Sequence, residues 1–131
     1  MPWLAFSINA RHIEAMTNLP ELIYHMAHEA DWNAAMESGA YSGSPDDLRD
    51  GFIHFSTAEQ IRGSAAKHRA GQTDLLLVAY KTNAFGAELK WEGKTTLFPH
   101  IYGQLDPATA AFVRVLPLGS DGLHVFPEEI A

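Results

Sequence analysis

The chain has 131 residues, 47% of them hydrophobic and 19% charged, which suits one folded domain and excludes a disordered or low-complexity chain. It carries 9 Lys and Arg against 16 Asp and Glu, a net charge of −7, which opposes a long polyphosphate, so no long nucleic acid is expected as a partner. There is no cysteine, which excludes a disulfide scaffold, a thiolate metal site and a cysteine nucleophile.

No apolar run approaches the roughly 20 residues that span a bilayer. No basic stretch followed by an apolar run opens the sequence, so a cytoplasmic location without membrane association is expected. Residues 1–20 are weakly patterned and read as an N-terminal extension, with a short helix near residues 10–17 that Asn18-Leu19-Pro20 ends. Residues 21–131 are the single domain.

Leu22-Ile23-Tyr24-His25-Met26 is a short apolar run with aromatic and β-branched members and predicts a buried strand. Glu29 to Ser38 predicts a helix, its acidic first turn at the positive end of the macrodipole and Gly39 its C-cap. Trp32, Ala35 and Met36 share one of its faces and should bury against a sheet. Ser42 to Asp47 is turn-rich and reads as a loop. Gly51 to Ser56 predicts a second strand, and Ser56-Thr57-Ala58-Glu59 has capping-box spacing for a helix that runs to about Ala70. Ala58, Ile61 and Ala65 line the inner face of that helix. Asp74 to Tyr80 is almost continuously apolar, hence a central strand covered on both faces. Glu88 to Glu92, His100 to Leu105 and Phe112 to Leu116 read as three more strands. Two early helices followed by a run of strands give an α+β domain, the helices packed on a split, mainly antiparallel sheet.

Seven histidines stand out: His12, His25, His28, His54, His68, His100 and His124. Three of them, His25, His54 and His100, interrupt apolar strands. A buried imidazole without a partner loses roughly 1–3 kcal/mol in desolvation, so three in one small sheet system point to a shared polar cleft. The plainer alternative is three unrelated histidines with local backbone partners. A convergent set suits two chemistries. Three histidines can hold a catalytic zinc, although no HxH or HExxH spacing pins two of them to one element. They can instead meet the ribose and phosphates of a nucleotide while Tyr24, Trp91 or Tyr102 covers a ring. GxSxG, GxGxxG and P-loop motifs are absent. Glu88 and Glu92, the carboxylates nearest His100, could each serve as a base, with solvated strand-end acids the plainer reading.

Ile23-Tyr24-His25, Asp50-Gly51-Phe52-Ile53-His54-Phe55-Ser56, Leu89-Lys90-Trp91-Glu92 and Phe98-Pro99-His100-Ile101-Tyr102-Gly103 resemble the marks of a family of small bacterial domains of unknown function. The resemblance covers roughly residues 22–117. That family in turn is similar to the ADP-ribosyltransferase superfamily, which includes the poly(ADP-ribose) polymerases and RNA 2′-phosphotransferases and binds NAD between two small sheets. The resemblance implies an ADP-ribosyltransferase-like fold. It places Tyr24-His25-Met26 where such enzymes meet the adenosine ribose and Gly51 to Ser56 at the nicotinamide segment. It also puts His100 where many transferases carry a catalytic Glu.

The expected function is binding of NAD or a related small-molecule nucleotide, with transferase or hydrolase chemistry. His54 and His100 would be catalytic, and His25, Tyr24, Ser56, Trp91 and Tyr102 would bind ligand. No metal is assigned. His25→Ala is expected to leave the fold intact, and the chain to be a monomer or weak dimer. The alternatives are a non-catalytic small-ligand module and a zinc-dependent hydrolase using His25, His54 and His100.

Overall fold

The computed structural model describes residues 19–130, so the helix expected near residues 10–17 lies outside the described residues. In chain order the elements are β1 (Leu22–His28), α1 (Glu29–Ser38), α2 (Pro45–Asp50), β2 (Ile53–His54), α3 (Ala58–His68), β3 (Leu75–Lys81), β4 (Leu89–Glu92), β5 (Phe98–Ile101) and β6 (Phe112–Leu116). Short 3-10 turns follow β3 at Thr82–Ala84 and precede β6 at Pro107–Thr109. The strands form two antiparallel sheets, ordered β1-β3-β6 and β2-β5-β4. The architecture of the described residues is α+β, with three helices where the sequence pattern of residues 21–131 suggests two.

Period-two alternation divides the core into two layers. Ile23 and Ala27 of β1, with Leu76, Val78 and Tyr80 of β3, face Ile53, Phe55 and Ile101 of the second sheet and Trp32 of α1. Tyr24 and Met26, with Leu75, Leu77 and Ala79, face the opposite way and pack under Ile61 and Ala65 of α3. β3 is therefore buried on both faces, as its unbroken apolar run requires. α1 buries Trp32 and Ala35, but Met36 is 62% exposed, because its place on the helix turns it just beyond the sheet contact.

Two local expectations are corrected. The stretch read as a loop contains α2, where Ser44 is the N-cap, Pro45 opens the first turn, and Asp47 completes a capping box. The N-cap of α3 is Thr57, not Ser56: the Thr57 hydroxyl accepts the Gln60 N–H, and the Gln60 side chain accepts the Thr57 N–H. Ser56 is held one residue too early, still paired in the strand, and its hydroxyl meets that of Ser64 at 2.8 Å. The helix ends at His68 with Arg69 as C-cap, before Gly71. No helix among the described residues is long and apolar enough to cross a membrane.

Thr57→Ala should therefore lower stability by about 1 kcal/mol through the lost cap, while the cap survives in Ser56→Ala. Urea denaturation of the two variants tests this; equal losses in both would reject Thr57 as the cap.

Candidate functional site

β1 and the end of β2 meet in one rung of ladder, with Tyr24 and Ser56 exchanging backbone hydrogen bonds of 2.8 Å. Beyond it the strands part. Because Tyr24 spends its N–H and C=O on Ser56, the residues of β1 that bond to β3 are Ile23, His25 and Ala27, and Met26 also turns its backbone groups away from β3. On the other strand, Phe55 N–H donates to the Pro99 carbonyl at 2.9 Å, so His54 turns its own N–H and C=O away from β5. A continued ladder would join Met26 to His54. It is open instead, and a pocket of about 450 Å³ lies at the fork.

Side chains replace the missing rung on the His54 side. Nδ1 of His25 donates to the His54 carbonyl at 2.7 Å, and Oδ1 of Asp47 accepts the His54 N–H at 3.0 Å. The same Oδ1 lies 2.5 Å from Nδ1 of the His54 ring. Oδ2 of Asp47 accepts from the Ser44 N–H at 2.8 Å and from the Ser44 hydroxyl at 3.0 Å. Since a carbonyl only accepts, His25 carries its proton on Nδ1, and its Nε2 accepts from the Tyr41 hydroxyl at 2.7 Å. Gly51, at φ 87°, lets the chain leave α2 and return at once as β2, which brings Asp47 and His54 together across seven positions.

Burial alone would raise the Asp47 carboxyl, but hydrogen bonds from the His54 ring and amide and from the Ser44 amide hold it at about 2. The hydrogen bond to Asp47 raises the His54 ring above its ordinary value against a smaller opposing effect of burial. Full burial pushes the His25 ring down, so it is neutral. Nε2 of His54 lies 3.1 Å from Oδ2 of Asp50, and the half-exposed ring lines the pocket. This is a histidine held between two carboxylates, the buried Asp47 at Nδ1 and the more exposed Asp50 at Nε2, a setting that favours the charged ring.

β5 carries the next histidine in register. His54 and His100 are directly paired across β2 and β5, their rings 5.4 Å apart. The Phe52 ring stacks on His100 at 4.0 Å and 20°. Nδ1 of His100 and the Tyr102 hydroxyl both lie 2.8 Å from Oε1 of Glu92, and the His100 bond draws the Glu92 carboxyl down. Glu92, read from sequence as a solvated strand-end acid, is thus the partner of His100.

The pocket is lined by His25, His54 and His100 together, and by Tyr24 and Ser56. His25, however, is 2% exposed and has protein partners on both ring nitrogens, so it braces His54 instead of offering a free donor. Trp91 and Tyr102 lie outside the lining. Trp91 alternates with Lys90 and Glu92 and so turns inward against the core, which period two dictates. Tyr102 stays on the open face, bound to Glu92 beyond His100. Opposite the two histidines, α3 presents Gln60, Gly63, Ser64 and Lys67, a stripe at helical spacing.

The zinc alternative fails on geometry: the occupied nitrogens of His25 do not converge with His54 and His100, and among the described residues no group of three His, Asp or Glu could hold a metal. Asp47 and Tyr41 have no role in the sequence reading, and Asp50 enters it only as the first residue of a motif. Ser44-Pro45-Asp46-Asp47 has the spacing of a capping box with proline at the first helical position, a signal that marks Asp47. Tyr41 has no such signal.

A family described as protein of unknown function (DUF952) matches residues 26–113. The chain belongs to that family. It is also similar to protein CC0527 from Caulobacter crescentus: its crystal structure has a TM-score of 0.79 at 38% identity, over 83% of this chain and 97% of that one. The solution NMR structure of CC0527 gives a TM-score of 0.70 at 40% identity, over 78% of this chain and 90% of that one. No curated protein matches the chain significantly. In this DUF952 chain the fork between the sheets, rather than any one motif, assembles the site.

Two measurements check its electrostatics. In an NMR titration His54 should titrate above 6.5, whereas His25 should stay neutral well below it. The signs for stability differ accordingly. The contribution of His54 is full below 6.5 and lost as pH rises through its raised value, whereas that of His25 is full above 6.5 and lost as pH falls. Asp47 stabilises above its ordinary 3.8 and loses that effect, on the order of 2 kcal/mol, as pH falls toward about 2. Asp47→Asn should cost about 3 kcal/mol in urea denaturation and lower the His54 midpoint. An unchanged His54 midpoint in that variant would refute the dyad.

Proposed function

We propose that the pocket binds a nucleotide of the NAD class and that His54, backed by Asp47, is its acid–base group. The observation that carries this reading is the backbone of Met26. Its N–H and C=O face the fork and have no protein partner among the described residues, and Met26, 8% exposed, lines the pocket. Buried backbone groups are nearly always paired, so this pair calls for a ligand or water. A primary carboxamide offers one acceptor and one donor along a single edge, which matches a strand residue as another strand would. Nicotinamide carries that group. The resemblance to ADP-ribosyltransferases supports the same ligand, and the volume falls within the roughly 300–1,000 Å³ usual for small-molecule sites.

When bound, such a nucleotide supplies a nicotinamide–ribose bond open to transfer or hydrolysis. The chain would contribute a fixed backbone edge at Met26, a proton held or taken at Nε2 of His54, and the His100–Glu92 pair beside it. Glu92 matters because the resemblance expects an acid where His100 stands, and a carboxylate reaches that position from β4 at 2.8 Å. With Trp91 turned inward and Tyr102 beyond His100, ring contacts fall to Tyr24 and Phe98, which line the pocket. In this reading the partner is a small-molecule nucleotide, the chain is a cytoplasmic monomer or weak dimer, and the transferase or hydrolase reaction uses no resident metal.

Calorimetry with NAD, ADP-ribose, AMP, nicotinamide and nicotinic acid tests the proposal. NAD and nicotinamide should bind, and nicotinic acid, which lacks the amide donor, should bind about tenfold more weakly. His54→Gln should reduce turnover of NAD more than its binding; binding with no turnover in the parent would favour the non-catalytic ligand module. Gly63→Leu offers a plug: a Cβ there meets nothing within 4 Å, so the side chain would enter the slot. Binding should be lost while the helix gains roughly 0.5–1 kcal/mol from replacing a mid-helix glycine. His124→Ala, with its ring on the Gln72 carbonyl, should bind like the parent. If none of these ligands binds more tightly than about millimolar, the nucleotide reading is wrong.

A further inference from the structure

We infer that Tyr41, acting through His25, is a positioning residue for His54. The chain of contacts is buried and continuous. The Tyr41 hydroxyl donates to Nε2 of His25 at 2.7 Å, and Nδ1 of His25 donates to the His54 carbonyl at 2.7 Å. Nε2 of His25 also lies 3.7 Å from Oδ2 of Asp47, the carboxylate whose other oxygen holds the His54 ring and amide. Tyr41, His25 and Asp47 are each 2% exposed, so water does not enter the arrangement.

The consequence follows from the inventory of donors. Neutral histidine has one N–H, and His25 needs it on Nδ1 to serve the His54 carbonyl. Its lone pair on Nε2 then faces a hydroxyl and a carboxylate. The Tyr41 O–H satisfies that lone pair, and burial together with the nearby Arg69 charge opposes a second proton on Nε2 against the pull of Asp47. Without the hydroxyl, Nε2 would be an unsatisfied acceptor near Asp47, and taking up a proton would relieve it. A charged His25 would then compete with His54 for the same carboxylate. Tyr41 thereby reserves Asp47 for His54. Tyr41 is itself anchored from outside the pocket, by a backbone bridge to Leu105 and an edge contact of 5.1 Å with the Trp32 ring. Its own hydroxyl is pushed far up by burial, so it stays a donor.

The groups facing His54 and His25 from the elements packed on them are Asp46, Asp47 and Asp50 of α2, His100 of β5, His68 of α3 and the buried Arg69 that caps α3, whose charge disfavours a proton on His25. Of these, only Asp47 is shared with His25 at close range, so a change at Tyr41 reaches His54 through that carboxylate. The role of His54 as acid–base group rests on the function proposed above, but the coupling does not.

Histidine ring nitrogens in ¹⁵N-labelled parent protein, followed by NMR from about pH 5 to 8, provide the first test. His25 should show the neutral form protonated on Nδ1 throughout; protonation on Nε2, or a charged ring near neutrality, would overturn the inference. The second test is Tyr41→Phe, which removes one oxygen. His25 should become titratable nearer neutrality and the His54 midpoint should move down toward 6.5. A folded variant with both rings unchanged would overturn the inference. If the variant does not fold, the parent spectra decide. Neither measurement needs a ligand, so failure of NAD to bind and failure of the coupling are separate results.

Discussion

One ladder rung sets the terms for this site. Tyr24 and Ser56 tie the two sheets together, and the next rung, Met26 with His54, is missing. Four backbone groups therefore lose their natural partners in an interior where leaving one unpaired costs about 1–3 kcal/mol. The two on His54 are met by His25 and Asp47. The two on Met26 are left facing the pocket. The divergence of the strands is thus the source of both the polar network on one side of the fork and the open backbone edge on the other.

Asp47 shows how such a network is kept from destabilising the fold. An isolated buried carboxylate would cost several kcal/mol, and the usual escape is protonation. Here its two oxygens receive the His54 amide and ring and the Ser44 amide and hydroxyl, enough to keep the carboxyl near 2 in spite of burial. The donors come from the N-cap of α2 and from the strand the helix leads into, within one short stretch of chain. A helix of six residues is too short for its own hydrogen bonds to hold it; the Asp47 contacts both cap it and dock it on β2.

Most strands were legible because their signal is local, although β5 runs Phe98–Ile101 and not His100 to Leu105. Leu75 to Tyr80 reads as a doubly covered strand on its own, and the alternation of Phe98, His100 and Tyr102 with Pro99 and Ile101 puts His100 on the open face. The same alternation, applied to Leu89-Lys90-Trp91-Glu92, would have turned Trp91 inward and Glu92 outward. An aromatic beside a candidate site suits a ligand contact and a core position equally by residue type, and only the alternation separates the two. α2 was harder to see, since six residues show no helical period and Ser, Pro and Asp also favour turns. The α3 cap slipped by one because Ser56 and Thr57 are equally good caps, and only the strand rung decides which is free. Tyr41 was out of reach: its partner His25 is 16 positions away, and the contact exists only once α1 has folded back on the sheet.

The two histidines at the fork illustrate why residue type alone did not assign their roles. His25 and His54 both sit in apolar strands, and both contact Asp47, yet burial drives the first toward neutrality and hydrogen bonding drives the second toward charge. The difference lies in strand parity. His25, an odd position of β1, points into the layer between the sheets, where Tyr41 and Phe55 enclose it. His54 pairs with His100 on the open face of the second sheet, where its ring reaches the pocket. A one-residue change of register in β2 would exchange Ile53 and His54, burying the imidazole and exposing an isoleucine. The Phe55 bond to Pro99, the Asp47 bonds to His54 and the Tyr24–Ser56 rung all oppose that slip. The contacts that hold the register of this two-residue strand are thus also those that give His54 its environment, so its stability and its chemistry depend on the same few hydrogen bonds.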